Sequence, residues 1–213
     1  MDPFHERLTR IALEVAAGHG FVLAGGYAVA AHGIVTRISD DVDLFTNQAG
    51  GPRKARDAVA DAYRADGIAV SLDMRVDNED FARLLVTDEE GQHSKVELGR
   101  DWRAHQPVIL DVGPVLHPDD AVAAKTTALF GRALPRDFID VDAAVLAGYS
   151  RDRLIDLATE RDPGFNRPMF AVMLRTLDTI SDKPFALYGR GPDEVAGLRV
   201  RFREWREELE GTR

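Results

Sequence analysis

The 213-residue chain contains no cysteine, so disulfide bonds and cysteine-based zinc sites are excluded. Its six histidines show no metal-ligand spacing. Long apolar runs are also missing, and the first residues lack the basic flank and apolar core of a signal peptide. Because nothing in the chain needs an oxidising compartment or a membrane, we expect a cytoplasmic protein.

Lysine is scarce, so arginine supplies nearly all of the positive charge; the only lysines are Lys54, Lys95, Lys125 and Lys183. The formal net charge of -9 argues against broad electrostatic binding to nucleic acid, because contacts of Lys and Arg with phosphate dominate that affinity. A local basic face is still compatible with this charge, since arginine forms bidentate contacts with phosphate. The length allows a sizeable core, as one domain or as a catalytic domain with a small partner.

The stretch from Phe21 to Asn47 carries most of the recognisable chemistry. An apolar run at 21–24 predicts a buried strand, and Gly25-Gly26 follows it, where missing Cβ atoms permit a tight turn and the close approach of a phosphate. The Ala-rich residues 27–32 predict a short helix after the turn. This arrangement suits a phosphorylated ligand, whereas a Gly-Gly pair by itself is more often an ordinary turn.

Two carboxylates follow on the next predicted strand, 41–45. Asp41 and Asp43 are two residues apart, so they project from the same face. Like charges held so close repel each other unless a metal cation or an arginine lies between them. Magnesium is the cation that this pattern favours, because it is usually held by one or two carboxylates together with substrate phosphates.

These residues also resemble a known signature. Gly25-Gly26 followed by Ser39-x-Asp41-x-Asp43 resembles the polymerase-β-like nucleotidyltransferase superfamily, and GGYAVAAHG followed by R-x-S-x-D-x-D resembles its AbiEii/AbiGii (MenT-like) branch. Members of that branch are toxins of bacterial toxin–antitoxin systems. The resemblance implies an α/β (α+β) fold with a mixed sheet, flanking helices and a C-terminal helical lobe.

The second half of the chain resembles the rest of that signature. Lys125 lies in AVAAKTTALF, on a helix predicted at 119–130, so its ammonium either reaches solvent or faces a cleft, and we favour the cleft. Some fifteen residues further on, a helix beginning at Pro135 carries Arg136-Asp137-Phe138-Ile139-Asp140. By the resemblance, the essential set consists of Ser39, Asp41, Asp43, Lys125 and Asp140. In that set, Lys125 faces the triphosphate, and Asp140 orients Lys125 or a ribose hydroxyl. Arg136 and Asp137 are then supporting structure.

Two further residues have alternative interpretations. The resemblance makes Glu97 the third carboxylate, which activates the attacking hydroxyl or helps to hold metal, but an exposed Glu97 paired with Lys95 or Arg83 explains the pattern equally well. In some members of the family a hydroxyl at the position of Ser39 is phosphorylated by the cognate antitoxin, and a phosphate there would repel the triphosphate. The alternative role for Ser39 is a turn or strand cap.

The remaining pattern predicts the domain organisation. Helices are expected at 3–17 and 53–65 and strands at 68–74, 82–87 and 94–98, which gives a catalytic domain at 1–113. A helical lobe at 114–213 contributes Lys125 and Asp140, and three helical stretches follow Ser150. The last of these helices has an apolar stripe typical of a core, formed by Leu198, Phe202, Trp205 and Leu209. Its opposite face is rich in arginine, with Arg199, Arg201, Arg203 and Arg206. We interpret this face as solvated rather than as an RNA-docking face.

The resulting hypothesis is a magnesium-dependent toxin. Asp41 and Asp43 hold the metal on a nucleoside triphosphate. The nucleotide is contacted by Gly25, Gly26, Ser39 and Lys125. The resemblance implies that nucleotides, often pyrimidines, are added to the 3′ end of tRNA, which blocks translation. We expect a monomer, with a cognate antitoxin as its protein partner. Two alternatives stay open: transfer to a small molecule of the aminoglycoside type or to a protein, and a non-catalytic nucleotide- or partner-binding module.

Overall fold

A seven-stranded mixed sheet forms the centre of the first of two units in the computed structural model, which describes residues 1–211. The first unit comprises Met1–Ala31 and Ile38–Pro118, and the second comprises His32–Arg37 and the residues from Asp119 onward. The strands are β1 (Val22–Leu23), β2 (Val42–Thr46), β3 (Ala69–Leu72), β4 (Phe81–Thr87), β5 (His93–Arg100), β6 (Val108–Leu110) and β7 (Gly113–Val115).

The sheet has the strand order β3-β4-β5-β2-β1-β7-β6. The pairs β2–β5 and β1–β7 are parallel, and the other neighbours are antiparallel. This arrangement confirms the predicted mixed α/β fold. It also places β2 beside β5, so that the strand carrying Asp43 lies next to the strand carrying Glu97.

Three helices complete the first unit: α1 (Pro3–Ala16), α2 (Gly25–Ala31) and α3 (Gly51–Ala65). Asp2 caps α1 by accepting hydrogen bonds from two backbone N–H groups of its first turn. Helices α1 and α3 pack against each other, and the Tyr63 hydroxyl donates to the Leu8 carbonyl at 2.9 Å in their shared core. Both side chains are fully buried.

Several boundaries in this unit differ from the expectations. The strands predicted at 68–74, 82–87 and 94–98 are confirmed as β3, β4 and β5 with shifted ends, whereas the helix predicted at 27–32 begins earlier, at Gly25. The expectation that helical structure begins at residue 114 is wrong, because β7 pairs with β1 and the first unit continues to Pro118. Strands β6 and β7 were missed, since three residues are too few to show a period-two pattern.

The second unit is helical. Its helices are α4 (Pro118–Arg132), α5 (Pro135–Leu146), α6 (Arg151–Arg161), α7 (Arg167–Arg175), α8 (Lys183–Ala186) and α9 (Pro192–Gly211). Among the described residues, four α-helices therefore follow Ser150 where three helical stretches were expected, because the short α8 was not recognised. Residues 212 and 213, the end of the predicted lobe, lie outside the described residues.

Aromatic side chains form the core of this unit. Phe202 lies edge-on to Phe138 at 5.1 Å between ring centroids, and Trp205 lies edge-on to Phe170 at 5.2 Å. The predicted apolar stripe on α9 is thus core at Leu198, Phe202 and Trp205. Arginines of its other face are held by carboxylates of the same unit, namely Arg199 by Asp182, Arg201 by Asp142 and Arg206 by Asp178. Among residues 1–211, no helix combines the length and the apolar character that crossing a membrane requires.

Candidate active site

Three carboxylates converge on one point of the first unit. One oxygen from each of Asp41, Asp43 and Glu97 lies within 4.8 Å of the others. The cause is the sheet: β2 and β5 run parallel with Asp43 directly opposite Glu97, and Asp41 immediately precedes β2 on the same face as Asp43. Carboxylate oxygens at this separation are a donor set suited to a hard divalent cation.

The glycine turn lies against this carboxylate group. Gly25 has φ +60°, and a Cβ atom added there would be 1.7 Å from Asp43 Oδ2. The Ala24 N–H also donates to the Asp43 carbonyl at 2.8 Å. Glycine is therefore required at 25 on two grounds, the left-handed backbone and the close approach of the side chain of Asp43. The start of α2 and the acidic site form one local structure.

Glu97 belongs to the acidic group and also forms an ion pair. Arg83, its cross-strand neighbour on β4, donates through Nε at 2.9 Å and Nη2 at 2.8 Å to Glu97 Oε1. The same guanidinium lies 3.6 Å from Asp73. The pairing with Arg83 that the sequence left open is thus present, and Arg83 fixes one oxygen of the carboxylate that faces Asp43.

A second charged cluster lies within the helical unit. Arg37 donates from Nε to Asp140 Oδ1 and from Nη2 to Asp140 Oδ2, both at 2.6 Å, and Lys125 Nζ lies 3.1 Å from Asp140 Oδ2. The exposed fractions of the Arg37, Lys125 and Asp140 side chains are 2%, 10% and 0%. Burial raises the pKa of Asp140, but the positive charges of Lys125 and Arg37 outweigh it and hold that pKa below its ordinary value. Asp140 is therefore an anion in contact with Lys125.

The family of the chain follows from its sequence. A family model described as "Nucleotidyl transferase AbiEii toxin, Type IV TA system" matches residues 7–211. The chain belongs to the AbiEii toxin family. It is accordingly a nucleotidyltransferase, as its two motifs predicted, and a toxin of a type IV toxin–antitoxin system.

Solved structures share the AbiEii fold. JHP933 from Helicobacter pylori is similar with a TM-score of 0.62 at 17% identity, over 97% of this chain and 92% of that chain. MenT4, a nucleotidyltransferase toxin from Mycobacterium tuberculosis, is similar with a TM-score of 0.52 at 17% identity, over 99% of this chain and 84% of that chain. At these identities the likeness shows the fold alone. Among curated proteins, none matches this sequence.

In this AbiEii toxin, Ser39 is buried, with 6% of its surface exposed. Its carbonyl accepts a long hydrogen bond of 3.5 Å from the Tyr27 hydroxyl. Tyr27 shares a 2.6 Å hydrogen bond with Nδ1 of His5, whose Nε2 meets the Ser94 hydroxyl at 2.7 Å. Burial lowers the pKa of His5, although nearby carboxylates raise it in part. The imidazole is thus a neutral link between α1, α2 and β5.

Arg37, the arginine of R-x-S-x-D-x-D, had no role predicted for it in the AbiEii site. Besides this motif, the available signal was Asp140, because a carboxylate on the apolar face of a helix requires a cationic partner. Asp137 has a different function from Asp140: it accepts both Arg132 donors at 2.9 Å and the Leu134 N–H at 3.2 Å, which caps α5. This local role agrees with the supporting part expected for Asp137.

Proposed function

We propose that this AbiEii toxin transfers nucleotides from a nucleoside triphosphate to the 3′ end of tRNA in a magnesium-dependent reaction. The observation that carries the proposal is the convergence of Asp41, Asp43 and Glu97 within 4.8 Å. Three carboxylates at this distance repel one another, and a divalent cation relieves that repulsion while it binds phosphate. The donor set is all oxygen, as Mg²⁺ prefers, so the residues present fit this ion.

In the proposed reaction, Asp41 and Asp43 hold magnesium, and Glu97 completes the carboxylate set. Magnesium bound there stabilises negative charge on the triphosphate oxygens. The 3′ hydroxyl oxygen of the acceptor forms a bond to the α-phosphorus and releases its proton to solvent, the bond from that phosphorus to the bridging oxygen breaks, and pyrophosphate leaves. Gly25 and Gly26 receive the phosphates, and Gly25 also leaves room for the Asp43 carboxylate, with which an added Cβ atom collides.

The proposal includes Lys125 and Asp140 as the essential pair of the helical unit. Lys125 has three N–H donors, of which the contact with Asp140 requires one. Its compact charge suits the triphosphate, and Asp140 keeps the side chain in place. Removing Lys125 should therefore weaken nucleotide binding and slow the departure of pyrophosphate.

A label-transfer assay tests the proposal. The protein is incubated with magnesium, total tRNA and each α-labelled nucleoside triphosphate in turn. We expect label on tRNA, with a pyrimidine nucleotide preferred, and a loss of at least about 100-fold in Asp41→Asn and Asp43→Asn. Asp156→Asn removes an exposed carboxylate of α6 and serves as the matched control.

The same assay separates the alternatives. Lys125→Ala should lose labelling, whereas Lys54→Ala, which removes an exposed lysine of α3, should retain it. If tRNA stays unlabelled with all four nucleotides while one of them binds, the tRNA acceptor is refuted, and small-molecule and protein acceptors are tested next. Labelling that persists after metal chelation would refute magnesium dependence.

The proposal extends to regulation and assembly. The protein acts as a cytoplasmic monomer, and its antitoxin controls it by phosphorylating Ser39. Because Ser39 is buried, phosphate transfer requires local opening of the chain around it. Ser39→Ala should retain nucleotide transfer and resist inhibition by the antitoxin. Equal inhibition of this variant and the wild type would refute regulation through Ser39. Light scattering, which measures the mass in solution, tests whether the protein is a monomer.

A further inference from the structure

Arg37 is the one member of the charged cluster in the helical unit that the proposed reaction does not use. It forms a bidentate ion pair with Asp140, and both hydrogen bonds are 2.6 Å long. Its side chain is 2% exposed, so the guanidinium has left water to make this contact. Such a pair is costly to desolvate and also costly to break, because removal of one partner leaves a buried charge uncompensated.

We propose that Arg37 is a positioning residue that acts through Asp140 to keep the Lys125 ammonium available to the nucleotide phosphates. The proposal rests on the role proposed above for Lys125 and deepens it. Arg37 touches neither nucleotide nor metal in this proposal. Its effect is transmitted by the carboxylate that both cations share.

The distances support this division of roles. Arg37 contacts both Oδ1 and Oδ2 of Asp140 at 2.6 Å, whereas the Lys125 ammonium lies 3.1 Å from Oδ2. Since the fork of Arg37 holds the plane of the carboxylate, Asp140 cannot turn both oxygens toward the ammonium. Lys125 therefore keeps donors for a second anionic group.

Arg37 itself is held in place by an aromatic ring. Its guanidinium carbon lies 5.4 Å from the centroid of the Tyr188 ring, a cation–π distance. Asp140 is fixed from the other side, because its neighbours Phe138, Ile139 and Val141 on α5 are buried. The planar, always-charged guanidinium suits this position, whereas a lysine would supply a point charge with no fork.

Loss of the fork should withdraw Lys125 from the nucleotide. In Arg37→Gln and Arg37→Lys, Asp140 is free to pair with Lys125 through both oxygens. We expect nucleotide affinity to fall by about 10- to 100-fold in Arg37→Gln, as is typical when the partner of a functional side chain is removed. Arg37→Lys should fall between this variant and the wild type.

A double-mutant cycle distinguishes positioning from mere structural support. Magnesium-dependent binding of a labelled nucleoside triphosphate is measured by equilibrium dialysis for the wild type, Arg37→Gln, Lys125→Ala and the double variant, with circular dichroism and thermal melting to check folding. If Arg37 acts through Lys125, the Arg37 substitution should change affinity by less than about twofold in the Lys125→Ala background. Arg203→Gln removes an exposed arginine of α9 and should bind as the wild type does.

The outcomes are decisive in either direction. Equal losses in both backgrounds, or full affinity in the Arg37 variants, would overturn the proposal. If Arg37→Gln does not fold, the same double-mutant cycle is measured with Arg37→Lys, which retains the charge. The change in nucleotide affinity in the wild-type and Lys125→Ala backgrounds then tests the proposal. Because the readout is nucleotide binding rather than tRNA labelling, failure of the proposed acceptor leaves this test intact.

Discussion

Replacing Gly25 by alanine should disable the carboxylate site directly. The new Cβ atom would lie 1.7 Å from Oδ2, 2.6 Å from Cγ and 2.8 Å from Cβ of Asp43, whereas real Cβ contacts stay beyond 3.0 Å. Three atoms of one short side chain are affected, so no rotation at the tip relieves the contact. Either Asp43 or the start of α2 must move.

The magnitude follows from two separate costs. The left-handed backbone at φ +60° costs an alanine about 1–2 kcal/mol. The steric contact adds about 1–3 kcal/mol if it is relieved as an overpacked core is relieved. Since Asp43 must move by more than about 1 Å, transfer activity should fall by about 100-fold.

Gly33 provides the matched control for backbone strain. It also has positive φ, +71°, but nothing lies within 4 Å of an added Cβ atom. Gly33→Ala should therefore cost only the conformational part, about 1–2 kcal/mol, and leave transfer within about twofold of the wild type. Urea unfolding and label transfer are measured for both variants.

The comparison can fail clearly. If Gly25→Ala loses no more stability than Gly33→Ala and transfers nucleotides at the wild-type rate, then Asp43 is not confined by the glycine turn. The interpretation of the turn and the carboxylates as one local structure would then be wrong.

Three further predictions follow from the contacts of single carboxylates. Glu97→Gln should reduce transfer at least about tenfold and shift its magnesium dependence to higher concentration, because the amide is a poorer metal ligand; an unchanged magnesium titration would exclude Glu97 from the site. Asp137→Asn should lower the free energy of unfolding by about 1–2 kcal/mol, through loss of the ion pair with Arg132, with no change in transfer rate; a matching loss of activity would contradict its purely structural role. Asp140→Asn should lower the free energy of unfolding by about 3–5 kcal/mol at neutral pH. In urea unfolding, the difference between this variant and the wild type should shrink as the pH falls through the lowered pKa of Asp140, because the stability that a depressed carboxyl pKa provides is lost on protonation. A difference that does not depend on pH would refute the lowered pKa of Asp140.

Motifs formed by residues close together in the chain could be recognised from the sequence. Gly25-Gly26 and the alternation of Asp41 and Asp43 predicted the turn, the strand and the shared face, because each depends on residues only a few positions apart. The resemblance supplied the family, which the sequence match confirms. Short elements were not readable: β7 has three residues, and its place in the sheet is decided by pairing with β1.

The role of Glu97 illustrates a second limit. Its alternation on β5 was visible, but both interpretations, metal ligand and partner of Arg83, fitted the same pattern. The structure shows that they are compatible, because Arg83 is directly opposite Glu97 on one side and Asp43 is directly opposite on the other. Only the order of the strands contains that information.

Arg37 shows why the remaining part of the site required a structure. A buried Asp140 requires a cationic partner, and Lys125 was the cation that the sequence paired with it. The second cation is 103 positions away in the chain, too far for any helical or strand period to report it. Asp137, by contrast, finds Arg132 only five positions away, within reach of the local pattern. Arg37 was therefore visible as the arginine of R-x-S-x-D-x-D, whereas its ion pair with Asp140 depends on how the segment 32–37 packs within the helical unit.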